Sequence, residues 1–204
     1  MPDYPNILDF NNTQFLKTGQ TTDSSIAGRT SKSDGFTQYG EVRKFTALTQ
    51  GQFSGTTNIT VNAKTDVHTN ACVVQDNTLK MWNQDKSNSV GPAANGLLYW
   101  DDSAGSNEDI FQYCDAANSA NLSGFNDWRI PNWIELASLL NIEGAAPYLN
   151  TTYFPAVGIA TVWSSNDSPA SSLNAIVINF NTGLQTLFNK TTITKSAMLV
   201  RDTN

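Results

Sequence analysis

The chain has 204 residues, enough for one well-buried core or for one domain carrying an arm. Only 15% of the residues are charged and 39% are hydrophobic, while 23 are Asn, so the surface is neutral and rich in hydrogen-bonding groups. A net charge of −6, a pI near 4.6 and no basic cluster argue against nucleic acid and anionic membranes as partners, and no stretch is long and apolar enough for membrane insertion.

Residues 1–40 hold few large apolar groups among many Thr, Ser, Gln and Gly, which predicts an N-terminal arm. Its Ile7, Leu8, Phe10, Phe15 and Leu16 still need burial, either on a neighbouring subunit or on the chain's own domain. The domain is expected over 41–204. From Phe45 to Ala63 the pattern is β, Thr-rich, with Ile59 and Val61 alternating against polar neighbours. The only histidine, His68, follows. Ala71 to Trp82 reads as a hairpin with Val73 and Val74 on one arm, Asp76 and Asn77 in the turn, and Leu79, Met81 and Trp82 on the other. Leu97 to Trp100 is a short apolar strand.

The loop from Asp101 to Asp109 is the one candidate metal site, because Asp101, Asp102, Asn107, Glu108 and Asp109 could converge on calcium. Its spacing does not fit an EF-hand, and the favoured alternative has Ser106 capping the next helix with the acids at its positive end. On that account no metal is expected. In the helix, Ile110, Tyr113, Cys114 and Ala117 share one buried face. Cys72 and Cys114 are the only cysteines; in an oxidising location they could pair, but a single pair is no disulfide framework, and both are expected as buried thiols.

The stretch DWRIPNWIELASLL, Asp127 to Leu140, organises the domain. Pro131 favours extended geometry at Ile130, Asn132 can cap a helix starting near Trp133, and Glu135 can complete a capping box. Ile134, Ala137 and Leu140 are predicted to face a sheet, flanked by Trp133 and Leu136. Arg129, between Trp128 and Ile130, is expected to form paired bonds with Glu135 as scaffold. Downstream, Thr161 to Ser165 should be a core strand with Trp163 buried. Leu173 to Phe180 is expected to alternate, Asn181 to Gly183 to turn, Leu184 to Phe188 to return and Ala197 to Arg201 to close the sheet.

The order of Tyr113-Cys114, Gly124, DWRIP, Glu135-Leu136, Phe154-Pro155 and Val162 to Ser165 resembles the Lcl C-terminal domain family. The likeness extends over about Ala71 to Arg201. More remotely the chain is similar to the formylglycine-generating enzymes and to the major tropism determinant of some phages. The resemblance implies an α+β, C-type-lectin-like domain: two helices packed on small antiparallel sheets. It divides the domain into a β insertion over 41–70 and a family core over 71–204. The hairpin departs from the family's V-x-D-x-x-T-G-L-x-W by a shorter Asp to Trp interval and a missing Gly. The cysteine that many such domains place beside the last VR is also absent. Because no cysteine follows Cys114, the formylglycine chemistry is not expected to carry over.

With one histidine and no G-x-S-x-G, P-loop, dinucleotide fingerprint or zinc spacing, the expectation is a non-enzymatic recognition or adhesion module without cofactor. Asn166, Asp167, Asn174, Asn179, Asn181, Gln185 and Asn189 are the candidate ligand-binding residues, on the face that the tropism determinant's recognition region implies. Trp128, Arg129, Pro131, Glu135 and Trp163 are expected to be structural. The start MPDYPNILDF lacks the basic head and apolar run of a signal peptide, which favours a phage or prophage virion protein contacting a host-surface protein or glycan. Its arm would join other virion subunits, and a homo-oligomer is expected. The alternatives are a purely structural decoration or fibre subunit, a secreted bacterial adhesin at the cell surface, and an enzyme with an unrecognised site.

Overall fold

The computed structural model describes residues 44–48, 51–92, 95–101, 108–142, 145–158 and 160–203. The predicted arm and residues 102–107 of the acidic loop, Ser106 among them, lie outside these. The described chain is α+β, with three small antiparallel sheets and two helices. Strands β1 (Phe45–Leu48), β4 (Cys72–Gln75), β5 (Lys80–Lys86) and β9 (Met198–Asp202) form a sheet in the order β1-β4-β5-β9. β2 (Thr56–Val61) and β3 (Lys64–Thr69) form a hairpin, and β6 (Thr161–Ser168), β7 (Ser171–Asn179) and β8 (Leu184–Asn189) a three-stranded sheet. The helices are α1 (Ile110–Ser119) and α2 (Trp133–Ser138).

The four-stranded sheet separates two apolar clusters, because successive side chains of a strand point to opposite faces. Cys72, Met81 and Leu199 join Ile110, Tyr113, Trp128 and Trp163 on the α1 side. Val73, Trp82 and Val200 join Leu136, Leu139, Phe154 and Phe180 on the α2 side. β7 lies between the same two clusters, with Ala175 and Val177 in the first and Ile178 in the second. Its run from Ala175 to Ile178 is therefore buried throughout, where strict alternation was expected.

α1 buries Ile110, Tyr113, Cys114 and Ala117, the predicted face. Its cap is Asp109, whose carboxylate accepts the backbone N–H groups of Phe111 and Gln112 at 2.8 Å each. In α2 the capping box is present: Asn132 Oδ1 accepts Glu135 N–H at 2.9 Å and Glu135 Oε2 accepts Asn132 N–H at 2.8 Å. The buried face of α2 agrees with the predicted one at Ala137 and Leu140, which pack partly buried on the second cluster, and departs from it at Ile134. The helix has only six residues and docks through Leu136 and the following Leu139, which leaves Ile134 62% exposed.

The 71–82 hairpin forms as expected except at Leu79. That residue sits in the turn, exposed, in the left-handed region at φ 53°, where a side chain costs about 1 kcal/mol. The stretch expected to be an insertion forms the β2–β3 hairpin and packs on α1, with Ile59 and Val61 in the core. Its second strand is inverted with respect to hydropathy. Asp66 and His68 point in and Val67 points out, because their register sets Asp66 opposite Ile59. Tight approaches at Gly91 and Gly96, where a Cβ would come within 2.3 Å and 2.2 Å of carbonyl oxygens, hold the following segment that carries Leu98 and Trp100.

Candidate functional site

DWRIP runs beside β9 as a bridged segment. Arg129 N–H donates to Val200 O at 2.9 Å, and Val200 N–H donates back to Arg129 O at 3.0 Å. Trp128 is buried, with its indole N–H on Leu122 O at 2.8 Å, and Trp163 donates to Leu98 O at 2.9 Å. Arg129 and Glu135 form the predicted fork, Nη1 to Oε2 at 2.8 Å and Nη2 to Oε1 at 2.6 Å. The pair is less enclosed than the flanking Trp128 and Ile130 suggested, since the Arg129 side chain keeps 38% exposure. Hydrogen bonding to Glu135 raises the guanidinium's pKa. Burial pushes the Glu135 carboxyl up, but the bonds from Arg129 and Asn132 N–H outweigh it and hold it below its ordinary value.

A second fork, absent from the sequence-based expectations, lies close by. Arg201 Nε and Nη2 meet the Asp127 carboxylate at 2.7 and 3.0 Å, and its guanidinium stacks 3.9 Å from the centroid of Phe125. The sequence signal was an acid directly before Trp128, but its partner is 74 residues away.

The start of α2 is stitched to β6. Ser165 N–H donates to Pro131 O at 2.8 Å, and Trp133 N–H donates to Asn166 Oδ1 at 2.9 Å. A bulge makes the second bond reachable: β6 advances from Trp163 to Asp167 while its partner β7 advances only from Val177 to Ala175. Trp133 is 36% exposed and borders a cleft of about 360 Å³. Asn166, Asp167, Ile176, Gln185 and Leu187 line its other walls.

Three of the seven predicted ligand residues, Asn166, Asp167 and Gln185, therefore meet in one cleft. The others do not join them. Asn179 Oδ1 caps the β7–β8 turn by accepting the N–H groups of Asn181 and Thr182 at 2.9 and 3.2 Å. Asn189 Oδ1 does the same for Thr191 and Thr192 at 3.0 and 3.1 Å. Asn181 is exposed within the first turn, and Asn174 lies opposite Asn189 at the other end of β7. Asp167 also pairs with Lys190 at 2.6 Å, and that ammonium lies over the Trp100 ring.

The family profile described as the Lcl C-terminal domain matches residues 71–201. The chain belongs to the Lcl C-terminal domain family. No curated protein matches it. Both clusters of the Lcl domain core draw on the matched span, as do all the walls of the Trp133 cleft.

His68 is fully buried and outside that span. Its Nδ1 lies 3.0 Å from Asn83 Oδ1, and its Nε2 faces Asp66 Oδ2 at 3.1 Å and the Tyr113 hydroxyl. Burial, reinforced by Asp66 and Asp85, raises the Tyr113 pKa well above its ordinary value and keeps the phenol protonated. In the acidic loop, Asp109 is committed to its cap and Glu108 to Lys64 at 2.9 Å. Among the described residues no three His, Cys, Asp or Glu side chains are grouped as metal ligands. Cys72 and Cys114 are free, buried thiols, each raised to about 11 chiefly by burial.

Proposed function

We propose that this Lcl C-terminal domain is a non-enzymatic recognition module with a C-type-lectin-like fold, and that its contact surface is the Trp133 cleft. The observation that carries the reading is an indole held at the surface by a backbone bond to Asn166, with neutral amides and Leu187 around it. Aromatic anchors ringed by a few polar groups are what binding sites use, and Trp dominates interface energetics. The two-helix, small-sheet architecture supports the lectin-like fold. The partner in this reading is a host-surface protein or glycan, and the setting is the outside of a virion. Trp133→Ala and Gln185→Ala should abolish or weaken binding of the full chain to host cells while melting as the parent does. Undiminished cell binding by Trp133→Ala would defeat the assignment.

A second reading, a structural virion subunit that contacts only its neighbours, is favoured by the open edge of β8. Leu184 is 62% exposed there, and Leu187 on the same strand is 41% exposed. Sedimentation of Leu184→Lys and host-cell binding by the parent decide between them: conversion of an oligomer to monomer, with a parent that binds no host cell, favours the structural subunit, and cell binding by the parent defeats it.

A further inference from the structure

The Trp133 cleft has a neighbour across the start of α2. A second cleft of about 370 Å³ is bordered by Phe111, Asp115, Arg129, Asn132 and Ser165. The two are divided by a ridge: Asn132 and Ser165 line one side, and the next residues in sequence, Trp133 and Asn166, line the other. The ridge is fixed by the bonds from Ser165 N–H to Pro131 O and from Trp133 N–H to Asn166 Oδ1. Each cleft carries one exposed aromatic ring, Trp133 at 36% and Phe111 at 40%. Phe111 is steadied edge-on against Trp100 at 5.0 Å.

Apart from the Cys114 thiol and the Arg129 guanidinium, the polar side chains lining the clefts are amides, hydroxyls and carboxylates. Arg129 is the lining cation, and both of its terminal nitrogens are taken by Glu135; nearby Lys190 is taken by Asp167. An anionic ligand finds no uncompensated cation among these residues, and the chain's net charge of −6 repels it further. A peptide adding as a strand needs a row of available N–H and C=O groups. The ridge offers little of that kind, since the N–H groups of Trp133 and Ser165 are already spent within the fold, and the open edge of β8 borders the Trp133 cleft but not the second one. A sugar ring matches better, because its apolar face can stack on an aromatic ring while each hydroxyl both donates and accepts, as amide groups do.

We infer that the two clefts form one extended groove for a neutral, linear polysaccharide, with one sugar ring against Trp133 and a further ring of the same chain against Phe111. This rests on the recognition reading above and gives it a ligand class.

The test uses the full chain against immobilised neutral glucan and mannan series, each running from monosaccharide to long oligomer, with heparin as the anionic comparison and host cells in parallel. The expected result is binding to a neutral series, none to heparin, and an affinity gain of about tenfold once the oligomer is long enough to reach both clefts. Trp133→Ala should remove binding at every length. Phe111→Leu, which keeps an apolar contact for Trp100, should remove only the gain with length. A length gain that survives Phe111→Leu overturns the two-cleft groove. Trp133-dependent cell binding with no neutral series bound, or with heparin bound, overturns the ligand class and leaves recognition standing. Cell binding independent of Trp133 overturns both.

Discussion

Asp66, His68, Asn83, Asp85 and Tyr113 sit between the β2–β3 hairpin, β5 and α1, almost wholly out of solvent. Asn166, Asp167, Gln185 and their neighbours sit on the β6–β8 face, in or near it. In the buried set every side chain is engaged. Asp66 accepts the N–H groups of Asn88 and Ser89 at 2.8 and 3.2 Å besides facing His68, and Asp85 accepts both the N–H and the hydroxyl of Thr69 at 2.7 and 2.9 Å. On the face, the bonds serve turns and the junction with α2, and Gln185 stands in the cleft wall. Similar polar chemistry therefore holds the fold in one place and is available for contact in the other, and burial decides which.

The largest effect belongs to the buried set. Asp66→Ala strips a partner from His68 and from two backbone N–H groups in a dry site, a loss of about 3 kcal/mol or more. Tyr113→Phe deletes only the hydroxyl at His68 Nε2 and should cost about 1 kcal/mol. Urea unfolding measures both. A loss below that of Tyr113→Phe in the Asp66 variant would mean that the network is not what anchors the hairpin on α1.

The two arginine forks sharpen the same comparison at intermediate size. Both are bidentate, but the Arg201 side chain is 7% exposed whereas Arg129 is 38% exposed. Arg201→Ala loses its ion pair, its stacking on Phe125 and its buried stem, at about 2–3 kcal/mol. Arg129→Ala, screened by solvent, should cost about 1 kcal/mol. Equal melting temperatures for the two variants would show that exposure does not set the difference.

Acid tests the forks without mutation. Hydrogen bonding from Arg201 lowers the Asp127 pKa, and Lys80, with help from Arg129, lowers that of Asp202. Glu135 is lowered too, burial being outweighed by Arg129. A carboxylate depressed in the folded state stabilises above its unfolded pKa, about 4, and that stability is lost as pH falls through the folded value. Melting temperature should therefore be level near neutrality and drop below about pH 4. The gap between the parent and Arg201→Ala should narrow over the same window, because protonated Asp127 no longer rewards the guanidinium. A gap that is constant with pH would assign the effect of Arg201 to packing alone.

Much of this was legible in the sequence where a few neighbouring residues decide the outcome. The capping box of α2, the buried face of α1 and the 71–82 hairpin each depend on contacts within about a dozen residues. β3 was not legible, because His68 points inward to partners on β5 and α1, and Asp66 to His68 and the N–H groups of Asn88 and Ser89 beyond β5. The face of α2 was legible at Ala137 and Leu140 but not at Ile134, since six residues fit two overlapping stripes and the core beneath takes Leu136 and Leu139. The Asp127–Arg201 fork needed the β5–β9 pairing, and the cleft needed a bulge in β6 to bring Asn166 to Trp133.

The smallest effect is the one that matters for function. Among the polar residues first expected to bind, Asn166 and Asn179 hold backbone N–H groups, so their loss should cost about 0.5–1 kcal/mol each, as for any cap. A combined Asn166, Asn179 and Gln185 to Ala variant would thus mix weakened binding with a weakened turn. Gln185→Ala removes only an exposed cleft wall and should change stability by less than about 0.5 kcal/mol. Asn181→Ala, exposed in the turn and outside the cleft, should be equally silent in stability and serves as its control. If the face binds through the cleft, Gln185→Ala loses affinity and Asn181→Ala does not, at indistinguishable melting temperatures. Equal losses in both would spread the contact over the whole β7–β8 edge and remove the special standing of the Trp133 cleft.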